Sequence, residues 1–271
     1  MRVAMMQPTF LPWLGYFELI LKSDIFVFLD DFQFVYQSYH QRNRVFINRD
    51  QVGWITVPVD KKSSFGKPLN ETKIQEGGWR KKMWRVIEAN YAKTPYFTDY
   101  ADRIYPLIIE AQENLAKQNM SLIQLVCSFL GKSLDCFVPS SSLEIEGKRS
   151  DLVKNLLHAV KADTYLSAQG SFGYMFCDGV FPVNGIEVLF QDAHLKPYPQ
   201  YGSTQGFVPY LSVLDALFNV GAEKTRELIL QSTEHWLTWE EMAEKAEMSA
   251  GGGQCYSFSS PCFCGVSREA A

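Results

Sequence analysis

The 271-residue sequence predicts an α/β fold, with a mostly parallel, Rossmann-like sheet, flanking helices, a C-terminal helical extension and a flexible tail. Its opening carries the prediction. Arg2–Met6 is a short apolar run ended by Gln-Pro, which reads as a strand. Ile25–Leu29 is a continuous β-branched and aromatic run, suited to a strand buried on both faces of a parallel sheet. Between them, Phe17, Leu19, Ile20 and Leu21 mark a helix over Gly15–Lys22 that starts near Leu14. Strand, loop, helix and strand make a βαβ unit. Its first loop, Gln7 to Leu14, lies at the carboxyl end of a strand, where open α/β sheets bind ligands.

Further elements follow in order. Gln37–Asn48 alternates, so on a strand His40, Arg42, Arg44 and Phe46 share one face. Gly53–Val59 is a second strand, and Asp60–Pro68 reads as a polar, mobile loop. Met83, Ile87 and Tyr91 recur at helical spacing, which predicts a helix from Trp79 to about Ala92. Two more helices are expected at about Tyr100–Lys117 and Ser121–Leu130, and Ser142–Glu146 is a candidate strand. Ser150-Asp151 opens a helix through Val160. Thr164–Ser167 is a strand running into a Gly-containing turn with Gly170 and Gly173, and Gly185–Asp192 is another. A Pro/Tyr/Gly loop then leads to a short helix, Leu211–Gly221. From Glu223 the chain is charged and helical in pattern, and Thr238-Trp239-Glu240-Glu241 is a capping-box signature. The expected organisation is an α/β domain over 1–221, a helical extension over 222–248 and a Gly/Ser/Cys-rich tail over 249–271.

Composition narrows the function classes. The formal net charge is −4, which argues against a dominant nucleic-acid surface while leaving a local basic patch open. No run of about 18 apolar residues suggests a membrane span. The N-terminus lacks a signal-peptide pattern, so the cytoplasm is the expected location. Cys127, Cys136 and Cys177 read as reduced thiols in or near the core. Cys255, Cys262 and Cys264 crowd into the tail without a recognised zinc spacing. The tail reads as a flexible stretch with no role, or, since a charged helix, three glycines and a Cys/Ser-rich stretch resemble the leader and core of a ribosomal peptide, as a candidate substrate.

Several residues bear on chemistry. Pro8 and Pro12 stiffen the opening loop, and Gly15 lets a ligand anion approach the helix start. The alternative is a rigid loop that seats Trp13 in the core. Asp30 and Asp31 follow a buried strand, where a carboxylate can bind an amine, a hydroxyl or Mg²⁺, serve as a general base, or merely cap a turn. Arg42 and Arg44 would form a fork for phosphate or carboxylate, with His40 beside them. Ser167 sits where backbone amides can cradle an anion, and no Gly-x-Ser-x-Gly elbow marks it as a nucleophile. His194 follows a strand and is the best-placed imidazole for catalysis. Ser212, Asp215 and Asn219 put a polar stripe on an apolar helix, which means either a satisfied network or a site.

The segments MQPTFLPWLGYFELILKSDIFVFLDDFQF, YHQRNRV, TYLSAQGS and YPQYGSTQGFVPYLSVLDALFNVG, in that order, resemble the WbqC-like family across about residues 1–221. Members are bacterial, and many sit among genes for O-antigen and other surface sugars. The resemblance implies a transferase that joins an activated amino acid, such as glycine, to an amine on a sugar nucleotide. In that hypothesis Asp30 or His194 takes a proton from the attacking amine, and Arg42 holds a phosphate or carboxylate. Gln7, Gln33 and Asn43 would orient polar groups, with Tyr16, Tyr165, Ser167, Gln200, Ser212, Asp215 and Asn219 lining the substrate. The donor would be an aminoacyl adenylate or an aminoacyl-tRNA, with Mg²⁺ open as a helper. A different class, a non-catalytic module that binds a nucleotide sugar or a peptide, fits the same residues.

Overall fold

A computed structural model describes residues 1–249. Its centre is a parallel five-stranded sheet built from β1 (Arg2–Met6), β2 (Ile25–Phe28), β5 (Phe137–Pro139), β6 (Thr164–Ala168) and β7 (Glu187–Gln191). Their spatial order is β5-β2-β1-β6-β7, and every pairing is parallel. A separate antiparallel hairpin joins β3 (Arg42–Asn48) to β4 (Gln51–Thr56). The helices are α1 (Leu14–Lys22), the single turn α2 (Lys61–Ser64), α3 (Trp79–Tyr91), α4 (Phe97–Ile109), α5 (Leu115–Phe129), α6 (Arg149–Ala159), α7 (Phe172–Asp178), α8 (Val213–Leu230) and α9 (Trp239–Ser249). No helix among them is long and apolar enough to cross a membrane.

The β1–α1–β2 unit forms as the apolar runs demand. Successive side chains point to opposite faces of a strand. Ala4, Phe26 and Phe28 therefore enter a core with α1, α5 and α8, while Val3, Met5 and Val27 enter one with α6, α7 and α9. Both faces are covered, which is why these strands read as unbroken apolar runs. A third core joins the hairpin to α3, α4 and α5 through Val45, Phe46, Ile87, Ile104 and Leu115.

Local expectations shift in several places. The edge strand is Phe137–Pro139, and Ser142–Glu146 forms no strand, because Phe137 stacks on Phe28 at 5.1 Å and draws its own segment against β2. The helix expected over Tyr100–Lys117 is α4, and Asn114 starts α5 by accepting the Lys117 amide in its side chain. β4 stops at Thr56 rather than Val59. The loop Asp60–Pro68 contains α2, capped by Asp60 through the Ser63 amide, and is pinned by the Phe34 amide donating to the Lys67 carbonyl. The helix expected over Leu211–Gly221 runs on to Leu230, kinked where Gly221 adopts φ 76°. Beyond residue 221 the chain packs into the cores already described. Leu228 and Ile229 join α1, and Met242 and Ala246 of α9 join the far face of the sheet. The tail cysteines Cys255, Cys262 and Cys264 lie outside the described residues.

Candidate functional site

Parallel strands place all their carboxyl ends along one edge of the sheet. The chain winds one way from β1 through β2 and the other way through β6, so the carboxyl ends of β1 and β6 mark the switch point where such sheets bind ligands. The opening loop forms one wall. Asn43 of β3 donates from Nδ2 to the carbonyls of Phe10 (3.1 Å) and Leu11 (2.8 Å), holding Leu11 at φ 45° in the left-handed region. Asn119 of α5 donates to Pro8 and to His40. The Gly15 position is covered by Trp13, since a Cβ there would fall 2.2 Å from the indole. The space expected to admit an anion is filled by an aromatic ring. Trp13 in turn meets Tyr210 edge to face at 5.2 Å.

His40 lies in a turn before β3, so it does not share the strand face of Arg42 and Arg44. The Val35 amide donates to its Nδ1 (3.2 Å), and Nε2 faces Gln7 Oε1 at 3.0 Å. Nδ1 as acceptor assigns the proton to Nε2. Burial pushes the imidazole down to about 4, which keeps it neutral. Tyr16 is buried and donates to the Gln7 carbonyl. Gln7 is thus held from both sides at the end of β1.

The other edge residues are spent unequally. Asp30 lies two residues past β2, and its carboxylate accepts from Ser140 Oγ (3.2 Å), the Ser141 amide (3.0 Å) and Ser141 Oγ (2.7 Å). Ser140 also donates to the neighbouring Asp31. The pair ties β2 to the turn after β5. Both Asp30 oxygens face serine donors. Among the described residues no group of three or more His, Cys, Asp or Glu side chains gathers to hold a metal. Gln33 is exposed and bridges to Pro68. Ser167 of β6 is buried, 2.6 Å from Ser171 Oγ, and Ser171 donates to the Ala168 carbonyl. Tyr165 points into the core, 6.4 Å from the Phe181 ring.

At the end of β7 the arrangement is open. His194 Nε2 lies 3.5 Å from Asp192 Oδ1, and Gln169, just past β6, donates to that same oxygen at 2.7 Å. The His194 side chain is 81% exposed. Sequence reasoning named His194 but missed Asp192 and Gln169. The available signal was their common place just past two strand ends. Asp30 and His194 leave strands three steps apart in the sheet, roughly 14 Å at the usual strand spacing, so they do not act on one atom together.

On the hairpin, the Arg42 guanidinium stacks over Trp54 at 4.3 Å, and its buried Nε has no hydrogen-bond partner among the described residues. Arg44 pairs in register with Trp54, so the two share a sheet face. Gln200, Ser212, Asp215 and Asn219 gather elsewhere, in a buried network. Asp215 accepts from Tyr91 (3.1 Å), Tyr198 (2.9 Å), Gln200 (2.7 Å) and Asn219 (3.4 Å). Burial pushes its carboxyl up to about 6, against the downward pull of the Gln200, Tyr198 and Tyr91 bonds. Ser212 caps α8 by accepting the Leu214 amide, and Asn219 accepts the Tyr201 amide. Every donor here is internal, so the polar stripe is a satisfied network that fastens loop 195–212 to α8. A further buried carboxylate, Glu18, went unforeseen. Glu18 pairs with Lys22 (3.0 Å) and accepts from Gln191, Ser232 and Thr233, which locks α1 to β7 and to the chain after α8.

A profile of the WbqC-like protein family matches residues 7–227. The Uncharacterized protein Rv1507c of Mycobacterium tuberculosis (strain ATCC 25618 / H37Rv) is 35% identical over 224 residues, covering 82% of this chain and 95% of the relative. No solved structure matches. The opening loop, Asn43, Gln200 and Asp215 all fall inside the matched span, and the chain belongs to the WbqC-like protein family.

Proposed function

We propose that this protein is a transferase that forms an amide between an activated amino acid and the amine of a sugar nucleotide, working at the carboxyl edge of the sheet. The Asp192–His194 pair carries the reading. An exposed imidazole 3.5 Å from a carboxylate suits a general base. The attacking amine forms a C–N bond to the acyl carbon, the bond from that carbon to the leaving oxygen breaks, and His194 takes the amine proton. Asp192, itself held by Gln169, orients the ring. Asp30 is engaged by serines and serves as an anchor for the site wall. Arg42 and Arg44 supply positive charge for phosphate, and Gln7, fixed between His40 and Tyr16, presents an amide at the end of β1. No cofactor beyond the activated donor enters the scheme.

The test is product formation from activated glycine and amino-sugar nucleotides, followed by mass spectrometry. His194→Ala should lower turnover at least about 100-fold, the lower range of general-base contributions. Asp192→Asn should lower it less, with substrate binding retained in both. Full activity in His194→Ala overturns the assignment. A second reading, a nucleotide-sugar or peptide binding module, draws support from how many edge groups are spent internally. Saturable binding without turnover toward any donor would select it.

A further inference from the structure

The hairpin and the segments beside it carry a charge that the chain as a whole does not. Residues 34–67 hold Arg42, Arg44, Arg49, Lys61, Lys62 and Lys67 against Asp50 and Asp60, a surplus of four positive charges in a chain whose formal net charge is −4. Both acids are engaged locally. Asp50 accepts from the Thr204 amide and hydroxyl, and Asp60 from the Ser63 amide.

Exposed rings alternate with these cations. Trp54 is 44% exposed and lies under Arg42, with Tyr39 against it at 5.4 Å. Tyr36 is 42% exposed, with Lys61 Nζ 5.3 Å from its ring centroid. Phe65 is 84% exposed, between Lys62 and Lys67 at the tip of the loop after α2. Backbone bonds hold these pieces together. Val57 donates to Gln41, Phe34 to Lys67, and Leu69 to Phe32. The Phe10 amide donates to the Tyr39 carbonyl, which ties the strip to the opening loop at the sheet edge.

We infer that this strip binds single-stranded RNA, with bases stacking on Trp54, Tyr36 and Phe65 and phosphates meeting Arg42, Arg44 and the loop lysines. Rings interleaved with cations are the physical requirement for holding an unpaired strand. A mononucleotide occupies one such ring, whereas three exposed rings within one basic segment suit a ligand that repeats base and phosphate. Resting on the transfer reading for its purpose, the strip selects the donor class: the single-stranded end of an aminoacyl-RNA rather than a free aminoacyl adenylate.

Fluorescence anisotropy of a labelled eight-nucleotide RNA ending in CCA, with the full chain at 50 and 200 mM salt, tests this. Binding that weakens with salt, and about fivefold or more in each of Trp54→Ala and Phe65→Ala, is the expected result. Trp54→Phe keeps a ring and should keep most of the affinity, which separates stacking from misfolding. Double-stranded RNA of the same length should bind more weakly, since its bases are already stacked. Equal affinity for ATP and for the oligonucleotide overturns the inference and leaves an adenylate donor for the transfer reading. Binding to vesicles of neutral and anionic lipid with no RNA binding overturns it as well. RNA binding without any amide product supports the strip and counts against the transferase alone.

Discussion

At the residue scale, two buried groups pull the acid response of this protein in opposite directions. His40 titrates near 4 when folded, below its ordinary 6.5, so the unfolded chain holds the extra proton between those values. Its contribution is present above pH 6.5 and is lost as pH falls toward 4, by about 3 kcal/mol over that window. Asp215 titrates near 6 when folded, above its ordinary 3.8, so the folded chain holds the extra proton. Its contribution is present below about pH 4 and is lost as pH rises through 6, by a similar amount. The two offset each other in the native sequence. Asp215→Asn removes one of them. Its urea-unfolding free energy should therefore climb by about 3 kcal/mol more than that of the parent between pH 4 and 6.5. Parallel pH profiles for the two proteins would show that Asp215 does not carry the proton. Neither shift was legible in the sequence, because burial sets both, and burial of His40 depends on Gln7 and Asn119 arriving from distant segments.

At the scale of elements, the first loop and helix show how much a pattern can specify. The helix start near Leu14 follows from the apolar spacing alone, and Thr238 and Glu241 exchange the reciprocal bonds that their spacing announces. The purpose of Gly15 did not follow. A glycine at a helix start reads equally as room for an anion or room for a neighbour, and the Trp13 indole takes the space. Gly15→Ala should force the indole away from Tyr210 and cost about 1–3 kcal/mol, the usual range for overpacking. Thermal melts would record the loss, and the Trp emission of the folded protein should shift toward that of exposed indole. An unchanged melting temperature would mean that Trp13 relocates freely. His40 teaches the same lesson on a strand. Alternation placed it with Arg42 and Arg44, but the strand begins only at Arg42, and the preceding turn points the imidazole inward.

For the whole molecule, the chain after Gly221 completes the cores that the earlier segments leave open. Trp239 packs against Phe172 (4.9 Å), Phe190 (6.0 Å) and Phe181 (6.2 Å), closing the far face of the sheet with α9. Trp239→Ala should cost about 3 kcal/mol, near the low end for a large aromatic in a core, measured by denaturant unfolding with a single cooperative transition. A loss below about 1 kcal/mol would make α9 an accessory. The sequence by itself determined the βαβ opening, the parallel sheet, the capping box and the family motifs. Each of these is a local pattern, written in the spacing of apolar, turn and capping residues within a few turns of chain. Only the tertiary structure decided which polar residues remain available for chemistry. Asp30 and Asp215 meet their partners across the fold, while the His194 imidazole stays exposed at the sheet edge. A side chain's hydrogen-bond partners are set by long-range packing, and the spacing of one segment carries no record of what another segment brings to it.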